Sequence, residues 1–222
     1  MGLAHSLLSL RIRPLTSHRA TKTGYRLDSS PIALLAMLVN YGSTNATVAV
    51  TMEYEYILGS PDGFKPSTPL WLDIAGCYTS SEVPLKGTGI STYSMPVPHN
   101  VTNPATAIWM AGHLHDSGVS VSILHNNQTL CNSVAAYSSA PDQDHSDGSH
   151  TGSMPAANTH ISDMSACNQP KLLKPGDKLS ITADYDTTKH SPMTDAKGKM
   201  ERIMGIAMVY MVEENNLAGG KY

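Results

Sequence analysis

The stretch Val48-Ala49-Val50-Thr51-Met52-Glu53-Tyr54-Glu55-Tyr56-Ile57-Leu58 gives the clearest indication of the fold. Its larger side chains recur at every second residue, with mostly small or charged residues between them. Successive side chains of a β-strand point to opposite faces, so a period of two is typical of a strand with one buried face. The stretch therefore predicts a β-strand over residues 48–58.

Further short apolar segments also predict strands, and turn-forming Gly, Pro, Asn and Asp separate them. No segment carries an apolar stripe of helical period with caps. Many short strands with turns between them are typical of a β-sandwich or barrel. The predicted strands are Ile32–Val39, Leu70–Ile74, Ala107–Met110, Val119–Leu124, Lys178–Tyr185 and Ile203–Val212.

The pattern predicts an all-β fold, an antiparallel, jelly-roll-like β-sandwich formed by a single domain over residues 31–213. Residues 1–30 carry no periodic pattern, and we expect them to be a disordered or misassigned leader. Residues 138–158 are rich in Ser, Gly, Asp and His with little to bury, which predicts a mobile insert between strands. Residues 214–222 are expected to form a tail.

The composition argues against two classes of partner. The 222 residues contain 15 Lys and Arg against 18 Asp and Glu, a net charge of −3, so the charge does not favour nucleic acid. The longest apolar run, Ala33–Val39, is far shorter than the roughly 18 residues of a membrane span. Charged residues are only 15% of the chain. This charge-poor, hydroxyl-rich composition favours an extracellular β-domain.

Three Asn-x-Thr sequons, at Asn45, Asn100 and Asn127, predict N-glycosylation and therefore secretion. A signal peptide is not evident, because Arg11 and Arg13 follow the short N-terminal apolar stretch where a signal peptide should be uncharged. We expect a secreted, extracellular glycoprotein. Either the protein is not secreted by the route that uses such a peptide, or the start of the sequence is misassigned.

The three cysteines allow one disulfide and leave one thiol over. None of them forms a Cys-x-x-Cys pair, so a thiolate zinc site is not indicated. Cys131 and Cys167 flank residues 138–158, and a bridge between them would close a loop of about 37 residues. We expect this pair to form the disulfide, with Cys77 free or paired outside this sequence.

The stretch Trp109-Met110-Ala111-Gly112-His113-Leu114-His115-Asp116 carries the main candidate for a metal site. Residues i and i+2 of a strand share one face about 6.5–7 Å apart, so His113 and His115 can both point at one ion. Trp109 and Ala111 have the same parity and are expected to lead this face into the core. Two imidazoles leave a metal under-coordinated, so a further ligand must come from another strand.

Three familiar classes of His-x-His site do not fit the surrounding spacing. A metallo-β-lactamase-type hydrolase requires His-x-His-x-Asp-His, whereas Asp116 follows His115 directly. A cupin requires a Glu about four residues after the second His, where Val119 and Ser120 stand. An amidohydrolase requires a (β/α)8 barrel with helices that the pattern does not predict.

Methionines on the last predicted strand offer the further ligand. Met204 opens that strand beside Gly205, at the rim, whereas Met208 and Met211 are expected to fill the core. A thioether is a poor ligand for zinc and a good one for Cu(I). His190 stands in the segment before the strand.

A series of short motifs runs along most of the chain. They are Leu38-Val39-Asn40-Tyr41, Met52-Glu53-Tyr54-Glu55-Tyr56-Ile57, Gly112-His113-Leu114-His115-Asp116-Ser117-Gly118, Leu130-Cys131-Asn132-Ser133, Tyr137, His160-Ile161-Ser162-Asp163-Met164-Ser165-Ala166-Cys167, Leu173-Lys174-Pro175-Gly176-Asp177-Lys178-Leu179, Tyr185-Asp186, His190 and Met204-Gly205-Ile206. Over residues 31–212 this series resembles the stress up-regulated nodulin family.

That family is similar to the copper type II, ascorbate-dependent monooxygenases, typified by peptidylglycine α-hydroxylating monooxygenase. Their C-terminal domain is a β-sandwich that binds copper through a His-x-His pair and a Met from a late strand. The resemblance implies one copper ion per chain, as Cu(I) or Cu(II), held by His113, His115 and Met204. His190 is a further candidate ligand. Dioxygen and a small reductant are the implied partners, and the resemblance assigns no substrate residues.

The sequence departs from the monooxygenase pattern at two places. The monooxygenases also have an N-terminal copper domain that supplies electrons and carries a His-His motif. This sequence contains no His-His pair and has too few residues before His113 for such a domain, so the electron-transfer copper domain is expected to be absent. The segment Thr194–Arg202 is longer than the family's usual link between His190 and Met204. Met193 and Met200 therefore remain alternatives to Met204.

Three functions remain open on the sequence alone. The chain is a copper-binding extracellular domain related to the monooxygenases, a working monooxygenase that uses an external reductant, or a metal-free, stress-associated structural glycoprotein. Copper content separates the third from the others. The source of the second electron of a hydroxylation separates the first two.

Overall fold

A computed structural model describes residues 6–8, 22–26, 47–50, 56, 58–59, 61–77, 80–139, 159–194 and 198–214. The chain divides into two compact units, residues 1–66 and residues 67–222. No α-helix occurs in the described ranges, and thus none that is long and apolar enough to cross a membrane.

The described strands of the first unit form two short parallel pairs. Strand β1 (Ser6–Leu8) pairs with β3 (Val48–Val50), and β2 (Thr23–Gly24) pairs with β4 (Lys65–Pro66). Two segments of the predicted leader are therefore paired in strands. Residues 51–55 and 57 of the predicted strand 48–58, and the whole predicted strand Ile32–Val39, lie outside the described residues.

All other strands belong to the second unit and build two antiparallel sheets. Sheet A has the strand order β12-β11-β10-β15-β7, with β8 also pairing with β15. Sheet B has the order β13-β9-β16-β5, with β14 also pairing with β9 and β6 with β16. The strands are β5 (Thr68–Asp73), β6 (Glu82–Val83), β7 (Ile90–Ser94), β8 (His99–Asn100), β9 (Ala105–Leu114), β10 (Gly118–His125), β11 (Gln128–Ser139), β12 (Thr159–Met164), β13 (Ala166–Cys167), β14 (Lys171–Leu173), β15 (Lys178–Asp186) and β16 (Ile203–Glu213).

One hydrophobic core joins the facing sides of the two sheets. Along β15 every second side chain is buried, as the period-two pattern of Lys178–Tyr185 predicts. Sheet B contributes residues such as Leu72, Met110 and Val209 to the same core. The antiparallel β-sandwich predicted from the sequence is confirmed.

Gly112 allows β9 and β10 to approach closely. A Cβ atom at this position would lie 2.7 Å from the Cβ of Val121, a separation that real contacts do not show. A glycine is needed here because the opposite sheet occupies the space of its side chain.

A disulfide between Cys131 and Cys167 links the two sheets. Cys131 lies in β11 of sheet A and Cys167 in β13 of sheet B. Cys77 is exposed and free. The predicted pairing is confirmed. Of the predicted insert, residues 140–158 lie outside the described residues, while residues 138 and 139 belong to β11.

A β-bulge interrupts β9 on the way to the His-x-His motif. Tyr210 of β16 pairs with Trp109, but the next residue, Met211, pairs with Ala107. Ile108 is therefore an extra residue without a partner in β16. Such a residue turns every later side chain of its strand to the opposite face.

The bulge overturns one expectation of the sequence analysis. Ala107 is buried before the bulge, whereas Met110 and Leu114 are buried after it. Trp109 and Ala111 are only half-buried and lie on the face of sheet B that is turned away from sheet A. The prediction that they lead the His-bearing face into the core is wrong, because strict alternation does not allow for Ile108.

Candidate metal centre

His113 and His115 stand at the end of β9, with the buried Leu114 between them. Their ring centroids are 5.8 Å apart and the ring planes are almost perpendicular, at 88°. An imidazole nitrogen binds a metal at about 2.0–2.1 Å, so rings this close can share one ion. The bulge at Ile108 gives both rings access to the outer face of sheet B rather than to the core.

One hydrogen bond defines the tautomer of His115. Its Nδ1 lies 2.8 Å from the carbonyl oxygen of Arg202. A carbonyl can only accept, so Nδ1 carries the proton and the neutral ring keeps a free lone pair on Nε2. Metal-binding histidines commonly donate their other ring nitrogen in this way.

The environment of His113 favours its neutral form. The side chain is exposed in part, but neighbouring atoms remove some of its hydration. This desolvation, followed by the electrostatic effect of the neighbouring His115, lowers the pKa of His113 below its ordinary value. A neutral imidazole is the form that binds a metal ion.

Met204 is brought to the same end of sheet B. Its neighbour Gly205 pairs with Leu114, so Met204 lies at the rung of His115. The side chain of Met204 is half-buried. Met208 shares its face of β16 and pairs with Ala111, four rungs along the ladder from Met204.

A buried phenol joins the backbones of these two candidate ligands. Tyr185 Oη accepts a hydrogen bond from the His115 amide at 3.3 Å and donates one to the Met204 carbonyl. Burial raises the pKa of Tyr185 well above its ordinary value. The hydroxyl therefore keeps its proton and stays a donor.

The turn that follows His115 is anchored to a third strand. The buried Asp116 carboxylate accepts from His160 Nδ1 and, at 2.9 Å, from the Ile161 amide at the start of β12. The Gly118 amide closes the turn on the His115 carbonyl at 3.0 Å, and a Cβ at Gly118 would lie 2.9 Å from that same oxygen. The backbone beside the His pair is thus fixed from several sides.

His190, the further candidate ligand, is held against a different strand. Its ring stacks on Tyr137 of β11, with centroids 3.5 Å apart and planes inclined by 3°. Its amide donates to the Asp186 carbonyl at 3.2 Å. In the part of the chain that the structure describes, this ring contact is with Tyr137 rather than with His113 or His115.

The alternatives to Met204 lie in the segment before β16. Met193 is half-buried and its carbonyl accepts from the Glu201 amide at 2.9 Å, while Met200 is 46% exposed. An isolated bridge pairs Thr194 with Met200.

Sequence reasoning missed the supporting residues Asp116, His160 and Tyr185. All three stand in motifs that the sequence analysis quoted. Their spacing along the chain gives no sign that they meet, because the turn after β9, β12 and β15 come together only through the sheet order.

The donor set fits copper better than harder metals. In the described ranges, no group of three or more His, Cys, Asp and Glu side chains is arranged to hold a metal. A closed zinc site or an all-oxygen site is therefore not built there. Two imidazoles with a thioether are the donors that suit copper, above all Cu(I).

Two of the three predicted glycosylation sites lie among the described residues. Asn100 and Asn127 are exposed, and Asn127 lies in the turn between β10 and β11. Asn45 lies outside the described residues. N-glycosylation of the three stays a prediction.

Comparison with known proteins links the chain to copper-dependent oxygenases. It is 28% identical over 214 residues to the probable copper-dependent oxygenase clz3 of Cochliobolus lunatus, in an alignment that covers 94% of this chain and 65% of the relative. It is 27% identical over 200 residues to the probable copper-dependent oxygenase M1 of Phoma sp., covering 90% of this chain and 48% of the relative. The chain thus spans less than two thirds of either relative. No protein-family model matches the chain.

Proposed function

We propose that the chain is a copper-binding domain that holds one copper ion at His113, His115 and Met204. The observation that carries this proposal is the meeting of the His pair with Met204 at one end of the β9–β16 pair, where Nε2 of His115 is left free. The kinship to two probable copper-dependent oxygenases supports the choice of metal.

Each proposed ligand has a distinct task. The imidazoles of His113 and His115 can bind both oxidation states, whereas the Met204 thioether stabilises the reduced ion. Bound copper supplies a one-electron Cu(I)/Cu(II) couple, which is the chemistry that dioxygen reduction requires. Asp116 and Tyr185 fix the backbone on which the ligands stand.

A second candidate function is catalysis as a copper-dependent monooxygenase. Both relatives are described as probable copper-dependent oxygenases, which favours it. In this case dioxygen is a co-substrate and a small external reductant provides the electrons. Oxygen uptake by the copper-loaded protein in the presence of ascorbate, compared with the His113→Ala variant, tests this function; equal uptake by the two would contradict it.

We also propose that the protein is secreted and glycosylated. The exposed Asn100 and Asn127 and the Cys131–Cys167 disulfide agree with an oxidising, extracellular compartment. Expression through a eukaryotic secretory pathway, followed by endoglycosidase treatment, should reduce the apparent mass. Retention of unglycosylated protein inside the cell would contradict this proposal.

Copper stoichiometry measured by mass spectrometry of metals tests the central proposal. Wild-type protein incubated with copper and freed of excess metal should retain one copper per chain. His113→Ala or His115→Ala should abolish stoichiometric binding, because each removes one of two imidazoles. Zinc supplied instead should bind more weakly than copper.

His99→Ala provides the matched control. His99 lies in β8 and pairs with Leu179, at the opposite end of β15 from Tyr185. This variant should keep its copper. Copper-free wild-type protein, or equal loss of copper from the His99 and His113 variants, would show that the proposed site does not exist.

A further inference from the structure

The hydroxyl of Tyr185 connects the two sheets at the candidate metal centre. Tyr185 lies near the end of β15 in sheet A and is completely buried. Its Oη accepts from the His115 amide at 3.3 Å and donates to the Met204 carbonyl, and both of these partners belong to the sheet B side of the sandwich.

The regular ladder between β9 and β16 ends at this point. The last of its pairs joins Leu114 to Gly205, and β9 ends at Leu114. At the next rung, His115 and Met204 are joined through the phenol instead of by a direct N–H···O=C bond. The hydroxyl therefore continues the ladder by one rung, at the rung that carries two of the proposed ligands.

A second contact fixes the same pair of segments. The His115 ring donates to the carbonyl of Arg202, two residues before Met204. Because this bond holds the ring and the phenol holds the backbone, loss of the phenol should allow the Met204 sulfur to move relative to the His115 ring.

We propose that Tyr185 is a positioning residue of the copper site, which holds His115 and Met204 in register for the same ion. This assignment rests on the proposed function. The Tyr185 hydroxyl bonds the backbones of two proposed ligands, and we expect it to act through them. Residues that orient metal ligands in this manner typically contribute about 10- to 100-fold to metal affinity.

Tyr93 is a matched control for Tyr185. Tyr93 is also buried in sheet A, and its ring packs edge to face against Tyr185 at 5.8 Å. Its hydroxyl likewise bonds two backbone groups, accepting from the Lys86 amide at 2.6 Å and donating to the Pro84 carbonyl at 3.4 Å. Tyr→Phe at either position therefore removes a buried hydroxyl of the same kind, but only Tyr185 serves the His115–Met204 rung.

The experiment compares wild type, Tyr185→Phe and Tyr93→Phe in three measurements. Hydrogen exchange of the His115 amide is measured in copper-free protein, Cu(I) affinity by competition with a chromophoric chelator, and the Cu(II) site by electron paramagnetic resonance. Tyr185→Phe should accelerate exchange at His115, lower Cu(I) affinity by about 10- to 100-fold and alter the Cu(II) spectrum. Tyr93→Phe should leave all three unchanged.

The outcomes distinguish this inference from the proposed function. Unaltered exchange at His115 in Tyr185→Phe, or unaltered Cu(I) affinity alongside faster exchange, overturns the positioning role while wild-type copper binding stands. Equal losses in the two Phe variants also overturn it, because they show a general effect on the core. Wild-type protein that binds no copper overturns the proposed function itself.

Discussion

Met204 and Met208 lie on the same face of β16 and are both half-buried, yet they stand at different rungs relative to the His pair. Met204 is at the rung of His115, whereas Met208 pairs with Ala111. A thioether is a soft donor that favours Cu(I) over Cu(II). If the proposed site is correct, the identity of the residue at Met204 decides which oxidation state the site prefers.

Met204→Ala should therefore weaken Cu(I) binding by at least about tenfold and affect Cu(II) binding less, since the harder ion gains little from sulfur. Chelator competition under reducing and oxidising conditions measures the two affinities separately. Met208→Ala is the control, because it removes the same side chain from the same strand face.

An unchanged Cu(I) affinity in Met204→Ala would contradict this ligand assignment. A loss confined to Met208→Ala would assign the thioether to Met208, the next methionine along the same strand face. The corresponding variants of Met193 and Met200 then test the two remaining alternatives from the sequence.

At the scale of elements, Asp177 joins two turns at one end of sheet A. Its carboxylate accepts from the Lys174 amide and from Asn126 Nδ2, each at 2.8 Å, and lies 2.9 Å from Nε2 of His125. The hydrogen bond from Lys174 is the largest of the effects that lower the pKa of Asp177 far below its ordinary value. The charged carboxylate is thus the form that the fold requires.

Asp177→Asn should lower the melting temperature, with a pH dependence fixed in sign by this shift. A carboxylate whose pKa is lowered on folding stabilises the fold at pH values above the ordinary pKa of Asp. This contribution is lost as the pH falls toward the folded-state pKa. The difference in melting temperature between wild type and the variant should be largest above about pH 5 and should decrease below about pH 4. Thermal unfolding across this range measures it.

Asp163→Asn serves as the comparison. Asp163 is exposed, and its carboxylate accepts a hydrogen bond from the neighbouring Met164 amide at 2.9 Å. The difference in melting temperature between Asp163→Asn and wild type should be small at every pH. A melting-temperature difference for Asp177→Asn that stays constant down to strongly acidic pH would contradict the role of the charged carboxylate. Protonation of Asp177 must remove its stabilising effect at such a pH.

The strands with strong alternation were predictable, and their limits nearly so. Lys178–Tyr185 is observed as Lys178–Asp186, and Ile203–Val212 as Ile203–Glu213. In both, apolar side chains fill the inward positions, so the sequence period shows the buried face directly. The His pair was likewise visible as two imidazoles at strand spacing.

Strand β11 was not predicted, because hydroxyl groups replace apolar side chains at part of its inner face. Ser133 is completely buried. Its Oγ accepts from the Gly112 amide at 2.9 Å and donates to the Ser165 carbonyl at 2.6 Å. A buried serine satisfied by backbone groups of distant segments carries no signal in a hydropathy pattern. The bulge at Ile108 was hidden for a similar reason, since only the pairing partner reveals an extra residue.

At the scale of the whole molecule, Cys131–Cys167 ties sheet A to sheet B across a sequence separation of 36 residues. Cys131 is buried, and its Sγ lies 4.0 Å from the Met110 carbonyl in β9. The bridge joins β11 to β13, and β13 pairs with β9, the strand that leads to the His pair. It acts beside the hydrogen bonds of Ser133 and Tyr185, which cross between the sheets at other places.

Replacing both bridged cysteines by alanine should destabilise the fold by about 3–4 kcal/mol, the loop-closure estimate for a ring of this length. Without the bridge, the unfolded chain has access to more conformations, and its higher conformational entropy favours unfolding. Chemical denaturation of the double variant, monitored by circular dichroism, gives the free energy of unfolding. Cys77→Ala is the control and should leave it unchanged, because that thiol is exposed and free. A double variant as stable as wild type, or a non-reduced peptide linking Cys77 to Cys131, would contradict the bridge as the covalent tie between the sheets.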